Sequence, residues 1–120
     1  MAVILIVDDE PAIANLLAAL LEDEGHQITT ASNGREGLSH LEKLKPDLVL
    51  SDVMMPILDG RAMCRAMQAN PNYQAIPIIL MSAAIEGNIS NDCKYAAFLK
   101  KPFNLDTVIQ VIGKIIDNGS

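Results

Sequence analysis

The chain has no apolar run approaching the roughly 18–20 residues that a membrane-spanning helix requires, although half of its 120 residues are hydrophobic. It has the material for a core and none for a span. A basic leader is missing too: Met1 to Val7 runs from an apolar segment straight into Asp8-Asp9-Glu10, with no small-residue cleavage site. That argues against a secretory signal and for a cytoplasmic protein. Basic residues are scarce, nine against fifteen acidic ones, for a formal charge of −6, and the only adjacent pair is Lys100-Lys101. A nucleic-acid backbone needs clustered cations, so no direct nucleic-acid partner is expected. The two cysteines, Cys64 and Cys93, lack metal-ligand spacing and a nearby histidine. They read as reduced structural thiols. There is no internal repeat, low-complexity stretch or linker, and the length fits one domain over residues 1–120.

What is present is alternation. Ala2 to Val7 is a short, continuous apolar run stopped by carboxylates, the pattern of a buried strand. Glu10 to Glu24 places Ile13, Leu16, Leu17, Leu20 and Leu21 at helical spacing, with Pro11 in the first turn and Gly25 as the stop. Gln27 to Ala31 is a more polar strand suited to a sheet edge. A helix over about Gly34 to Leu44 follows, then a strand over Asp47 to Asp52 and a helix over Gly60 to Ala69 with Asp59 as N-cap. Strands over Ile76 to Met81 and Ala96 to Leu99 come next. Asn104 caps a last helix carrying Val108, Ile109, Ile112, Ile115 and Ile116. Continuous apolar strands alternating with helices predict a doubly wound α/β domain, its parallel sheet covered on both faces.

In an open α/β sheet, ligands bind beyond the carboxyl ends of the strands, near the point where strand order reverses. Strand one ends in Asp8-Asp9, strand three in Asp52 and strand four in Ser82, while strand five ends just before Lys100-Lys101-Pro102. If those strands are neighbours, three carboxylates, a hydroxyl and an ammonium converge on one cleft. Carboxylates that close repel one another, and a hard divalent cation removes the conflict. An oxygen-only cluster with few protein ligands suits Mg²⁺ better than zinc. A carboxylate is also a competent nucleophile toward phosphorus and yields an aspartyl phosphate. Lys101 would neutralise phosphoryl oxygens as a point charge, and Ser82 would donate a hydrogen bond.

Each residue alone has a plainer reading. An Asp after a strand is usually a turn or cap residue, Ser82 an N-cap, Lys101 a solvated side chain, Phe98 core, and Met54 packing. His26 and His40 have no catalytic company and are expected at the surface. The joint arrival of the polar set at four strand ends is what carries weight.

The segments Val-Asp8-Asp9-Glu10-Pro, Leu-Ser-Asp52-Val-Met-Met-Pro56-Ile-Leu-Asp59-Gly60, Met81-Ser82-Ala and Phe98-Leu-Lys-Lys101-Pro102-Phe, in that order, resemble the response-regulator receiver domain of two-component signalling, and the resemblance spans nearly the whole chain. It implies a flavodoxin-like five-stranded parallel sheet of order 2-1-3-4-5 and a cis Lys101–Pro102 bond. Asp52 would be the phosphoacceptor, with Lys101 and Ser82 completing the catalytic set. Mg²⁺ would be held by Asp9 and Asp52, by Asp8 through water and by the Met54 carbonyl. Ser82 and Phe98 would form the switch. The donor would be a phosphohistidine on a sensor histidine kinase or phosphotransfer protein, and the chemistry would stop at self-phosphorylation and self-dephosphorylation rather than turnover of a separate substrate. The downstream partner or output domain is not legible, and a stand-alone receiver is the preferred reading over a fragment of a longer chain.

Departures from the family pattern are Ser82 for the commoner threonine, Phe98 for tyrosine, and a run between Ser82 and Lys101 about three residues short. A rival reading, an Mg²⁺-dependent phosphohydrolase with an aspartyl nucleophile, wants a second acid where Met54 stands. A flavin module would want a phosphate cradle where Asp8-Asp9-Glu10-Pro11 stands. Two finer expectations follow. Met54 and Ala84 cannot orient an attacking water, so the aspartyl phosphate should be long-lived. Residues 86–94, rich in Gly, Asn, Ser and Asp, should form only a short or weak helix.

Overall fold

In a strand, successive side chains point to opposite faces, and β1 (Val3–Val7) uses both. Ile4 and Ile6 join one apolar cluster, Leu5 and Val7 another, and all four are fully buried. The same division runs through β3 (Leu48–Asp52) and β4 (Ile78–Ser82): Leu48, Leu50, Ile79 and Met81 face one way, Val49, Ile78 and Leu80 the other. A strand buried on both faces has no use for alternation, which is why these three read as unbroken apolar runs.

The helices divide accordingly in the computed structural model, which describes residues 2–83 and 93–118. On one face lie α1 (Pro11–Asp23), through Leu17 and Leu21, and α4 (Leu105–Asn118), through Val108 and Ile112. On the other lie α2 (Gly34–Lys43), through Leu41, and α3 (Gly60–Gln68), through Met63, Cys64 and Met67. Between them β2 (Gln27–Ala31), β1, β3, β4 and β5 (Ala97–Lys100) pair in parallel in the order β2-β1-β3-β4-β5. This is the doubly wound, flavodoxin-like sheet expected from the sequence, with the polar β2 at an edge. Among the described residues no helix is long and apolar enough to cross a membrane. Neither cysteine is in a disulfide, and both are buried.

Local chemistry sets the boundaries. Gly25, at φ +92°, closes α1: its N–H donates to Glu22 O at 2.9 Å and that of His26 to Leu21 O at 3.1 Å, the paired bonds of a Schellman stop that a left-handed residue makes possible. Asn33 and Asp59 cap α2 and α3 by accepting from Glu36 N and Ala62 N, each at 2.9 Å. β4 begins two residues later than the apolar run predicts. Ile76 is held in a turn by its N–H to Tyr73 O at 3.0 Å, and Pro77 has no N–H to offer the ladder. β5 is displaced by one residue, since Ala96 serves as the entry, donating to Ile78 O at 2.8 Å. The histidines are not at the open surface. Both are half-buried, and His26 Nδ1 accepts from Ala2 N at 3.1 Å. The segment expected to be a weak helix, 86–94, and the position of Ala84 lie outside the described residues except for Cys93 and Lys94.

Candidate functional site

The strand order places the carboxyl ends of β1, β3, β4 and β5 side by side, with Val7 in register with Ser51, Asp52 with Met81, and Ser82 with Lys100. Asp8 leaves β1 directly, its N–H donating to Ala31 O at 3.0 Å. Lys101 leaves β5 directly, its N–H donating to Ser82 O at 2.8 Å, and the Lys101–Pro102 peptide bond is cis. Ligands of open α/β sheets lie at this end, where the order reverses between β1 and β3.

Oxygens of Asp8, Asp9 and Asp52 all lie within 4.8 Å of one another. Asp8 and Asp52 are buried and Asp9 is exposed. Lys101 Nζ sits 3.2 Å from Asp8 Oδ2 and 3.5 Å from Asp52 Oδ1. The other oxygen of Asp8 is also engaged, accepting from Glu10 N at 2.9 Å. One ammonium thus serves several acids. Burial, reinforced by Asp8 and then Asp9, pushes the Asp52 carboxyl up from 3.8 to about 6 against the pull of Lys101. Lys101 itself is raised. Burial disfavours its charge most, but Asp52, Asp8 and Glu10 together outweigh that, so the ammonium stays protonated. Both shifts have one origin, an excess of carboxylate over cation in a poorly solvated place. A three-carboxylate, oxygen-only donor set of this kind fits a hard divalent cation.

The backbone at Asp52 is held by close packing on both sides. A Cβ on Gly60 would stand 2.2 Å from Asp52 O, so the loop from β3 to α3 folds back only because residue 60 has no side chain. Gly60 N donates to Val53 O at 2.9 Å, and the buried Ser51 hydroxyl donates to Asp52 O at 2.9 Å. Asp52 therefore projects from a backbone fixed on both sides.

Of the residues singled out in the sequence, Asp8, Asp9, Asp52 and Lys101 come together as expected. Ser82 is buried at the end of β4, tied to the site through its carbonyl. Met54 stands in the loop after β3 and is 72 % exposed. Phe98 is half-buried on the α2–α3 face and packs at a tilt against Tyr95, ring centres 6.4 Å apart. Two participants escaped the sequence reading. Glu10 Oε1 lies 3.7 Å from Lys101 Nζ, a contact hinted at only by its place beside Asp8-Asp9. Tyr95 precedes β5 at a spacing that carries no signal.

Comparison with known proteins agrees with the fold. The family profile of the response regulator receiver domain matches residues 4–113. Protein PilH of Pseudomonas aeruginosa is 34 % identical over 119 residues, covering 97 % of this chain and 98 % of PilH. Other curated relatives are longer, and the chain spans about half of their length. Among solved structures, the signal receiver domain of a signal transduction histidine kinase from Syntrophus aciditrophicus superposes with a TM-score of 0.92 at 33 % identity, covering 98 % of this chain and 92 % of that one. The receiver domain of sensor histidine kinase PA1611 from P. aeruginosa, with a magnesium ion coordinated in its active site cleft, gives 0.88 at 28 % identity, covering 97 % and 98 %.

Proposed function

Because this chain belongs to the response regulator receiver domain family, we propose that it is a phosphorylatable switch in which Asp52 accepts a phosphoryl group from a phosphohistidine. The observation that carries this reading is the Asp8, Asp9, Asp52 and Lys101 cluster at the strand ends. A carboxylate oxygen of Asp52 attacks phosphorus while the phosphorus–nitrogen bond to the donor imidazole breaks. The imidazole leaves with the electron pair and takes a proton from solvent. Lys101, its ammonium 3.5 Å from Asp52 Oδ1, then shifts to pair with the phosphoryl oxygens as a point charge. Ser82 turns its hydroxyl toward them, and Phe98 follows into the space this opens, altering the surface that a partner or output domain reads.

Mg²⁺ fits the donor set; Asp9, Asp52 and the Met54 carbonyl would hold it, and it would neutralise charge that otherwise opposes the phosphoryl group. Asp8 would contribute through water, in keeping with its two oxygens already facing Glu10 N and Lys101. The donor is a sensor histidine kinase or a phosphotransfer protein. The protein turns over no substrate of its own. Incubation with acetyl phosphate is the test. Intact mass should rise by one phosphoryl group with Mg²⁺ present, and not in excess EDTA or in Asp52→Asn. Equal labelling under those conditions would assign the chemistry elsewhere.

A further inference from the structure

Among the described residues, Glu10 is the one carboxylate at the site with no part in the chemistry so far. Its backbone N–H fixes Asp8, while its own side chain, 63 % exposed, brings Oε1 to 3.7 Å from Lys101 Nζ. Lys101 is 16 % exposed and lies 3.2 Å from Asp8 and 3.5 Å from Asp52. The ammonium is therefore divided among three carboxylates, and only one of them receives the phosphoryl group. We propose that Glu10 is a positioning residue that holds the Lys101 ammonium back from the phosphoryl-binding position in the unphosphorylated protein. The inference rests on the assignment of Asp52 and Lys101 above.

The asymmetry between the acids supports it. Asp8 is buried and has both oxygens engaged, so its hold on Lys101 persists whatever happens at Asp52. Glu10 is solvated and on a flexible stem, so its hold is weak and easily released. When a phosphoryl dianion arrives, Lys101 gains a stronger partner and lets Glu10 go into water. The resting contact then acts as a modest brake on phosphorylation, and its strength is that of a partly exposed pair.

The test uses the full chain with acetyl phosphate as donor and Mg²⁺ present, following initial phosphoryl incorporation by intact mass, and beryllofluoride as a binding probe independent of turnover. Glu10→Gln should take up phosphoryl groups about two- to fivefold faster and bind beryllofluoride tighter by a similar factor, the range open to an exposed ion pair. Glu10→Asp keeps the charge but falls a methylene short of Lys101, so it should resemble Glu10→Gln rather than wild type. In a Lys101→Ala background the gain should vanish. A wild-type rate in Glu10→Asp, or a gain that persists without Lys101, would show that Glu10 merely repels phosphate and overturn the proposal. A loss of Mg²⁺ affinity in Glu10→Gln would overturn it by making Glu10 a metal ligand. Wild type that takes up no phosphoryl group would remove both this proposal and the reading beneath it. An unchanged Glu10→Gln in a phosphorylatable protein would remove this one alone.

Discussion

At the amino ends of the strands, Asp47 is exposed and its Oδ2 accepts from Val3 N at 2.8 Å, while His26 Nδ1 accepts from Ala2 N at 3.1 Å. At the carboxyl ends of the same sheet, Asp8 and Asp52 are buried, an Asp9 oxygen lies within 4.8 Å of oxygens of both, and among the described residues one ammonium, that of Lys101, faces Asp8 and Asp52. Polar side chains at the first end complete the backbone's hydrogen bonds and are content there. Those at the second end carry more like charge than the fold can neutralise. A sheet end that only had to be soluble would not gather carboxylates this way, because burying an ion without a full set of partners opposes folding. The difference marks one end as structural and the other as a site.

The comparison breaks most visibly with metal. Asp9→Asn should weaken Mg²⁺ binding by about a hundredfold and abolish Mg²⁺-dependent phosphoryl uptake, since it removes a charged ligand from a small oxygen cluster. Asp47→Asn should leave both unchanged. Calorimetric titration is the suitable readout, because the chain has no tryptophan to report binding. Equal affinity in the two variants would show that the acidic cluster is not a metal site.

Glycine sharpens the contrast on the backbone. Gly60→Ala drives a methyl to 2.2 Å from Asp52 O, a rigid backbone atom, and should cost about 2–4 kcal/mol while displacing Asp52. Gly113→Ala, in α4 with nothing within 4 Å of the new Cβ, should stabilise by about 0.5–1 kcal/mol. Urea denaturation of the pair checks both signs.

A third expectation follows from the raised Asp52 carboxyl. Its folded value of about 6 lies above the ordinary 3.8. Asp52 therefore favours the folded state fully below pH 4, and that contribution is lost as pH rises through about 6. In EDTA at pH 7, Asp52→Asn should be more stable than wild type by on the order of 2 kcal/mol, and the gap should close toward pH 4. Added Mg²⁺ should stabilise wild type more than the variant, because a cation at the site offsets the same repulsion. If the variant is no more stable than wild type at pH 7, the carboxylate cluster is better solvated than its burial indicates.

The sheet was legible because buried parallel strands announce themselves as continuous apolar runs, and because Gly25, Asp59 and Asn104 punctuate the helices. The acidic cluster was legible because strand ends can be read from sequence and topology brings them together. Where the reading slipped, tertiary context decided. Ile76-Pro77 continues the apolar run of β4, but proline's missing N–H keeps it out of the ladder. His26 is polar yet half-buried because the Ala2 N–H needs an acceptor. The Glu10–Lys101 contact depends on where one flexible side chain comes to rest against another from the far end of the chain, which no local pattern encodes.

The smallest effect tests the quieter end of the sheet. Asp47 has one visible task, accepting the Val3 N–H at 2.8 Å, while its own N–H donates to Val3 O at 2.7 Å. The first bond closes the start of β1 and the second the start of β3. Asp47→Ala keeps the backbone bond and loses only the side-chain acceptor. Because the residue is exposed, water can take up the freed Val3 N–H, so the loss should be near a typical net hydrogen bond, about 0.5–1 kcal/mol. Its sign is opposite to that of Asp52→Asn at pH 7. One carboxylate removed from one end should weaken the protein, and one removed from the other should strengthen it in the absence of metal. Measuring both in the same buffer, with EDTA, sets the two ends of the sheet directly against each other. If Asp47→Ala were stabilising as well, the gain in both variants would come from relieving the overall charge of −6, and the carboxyl ends of the strands would have no special claim to stored repulsion.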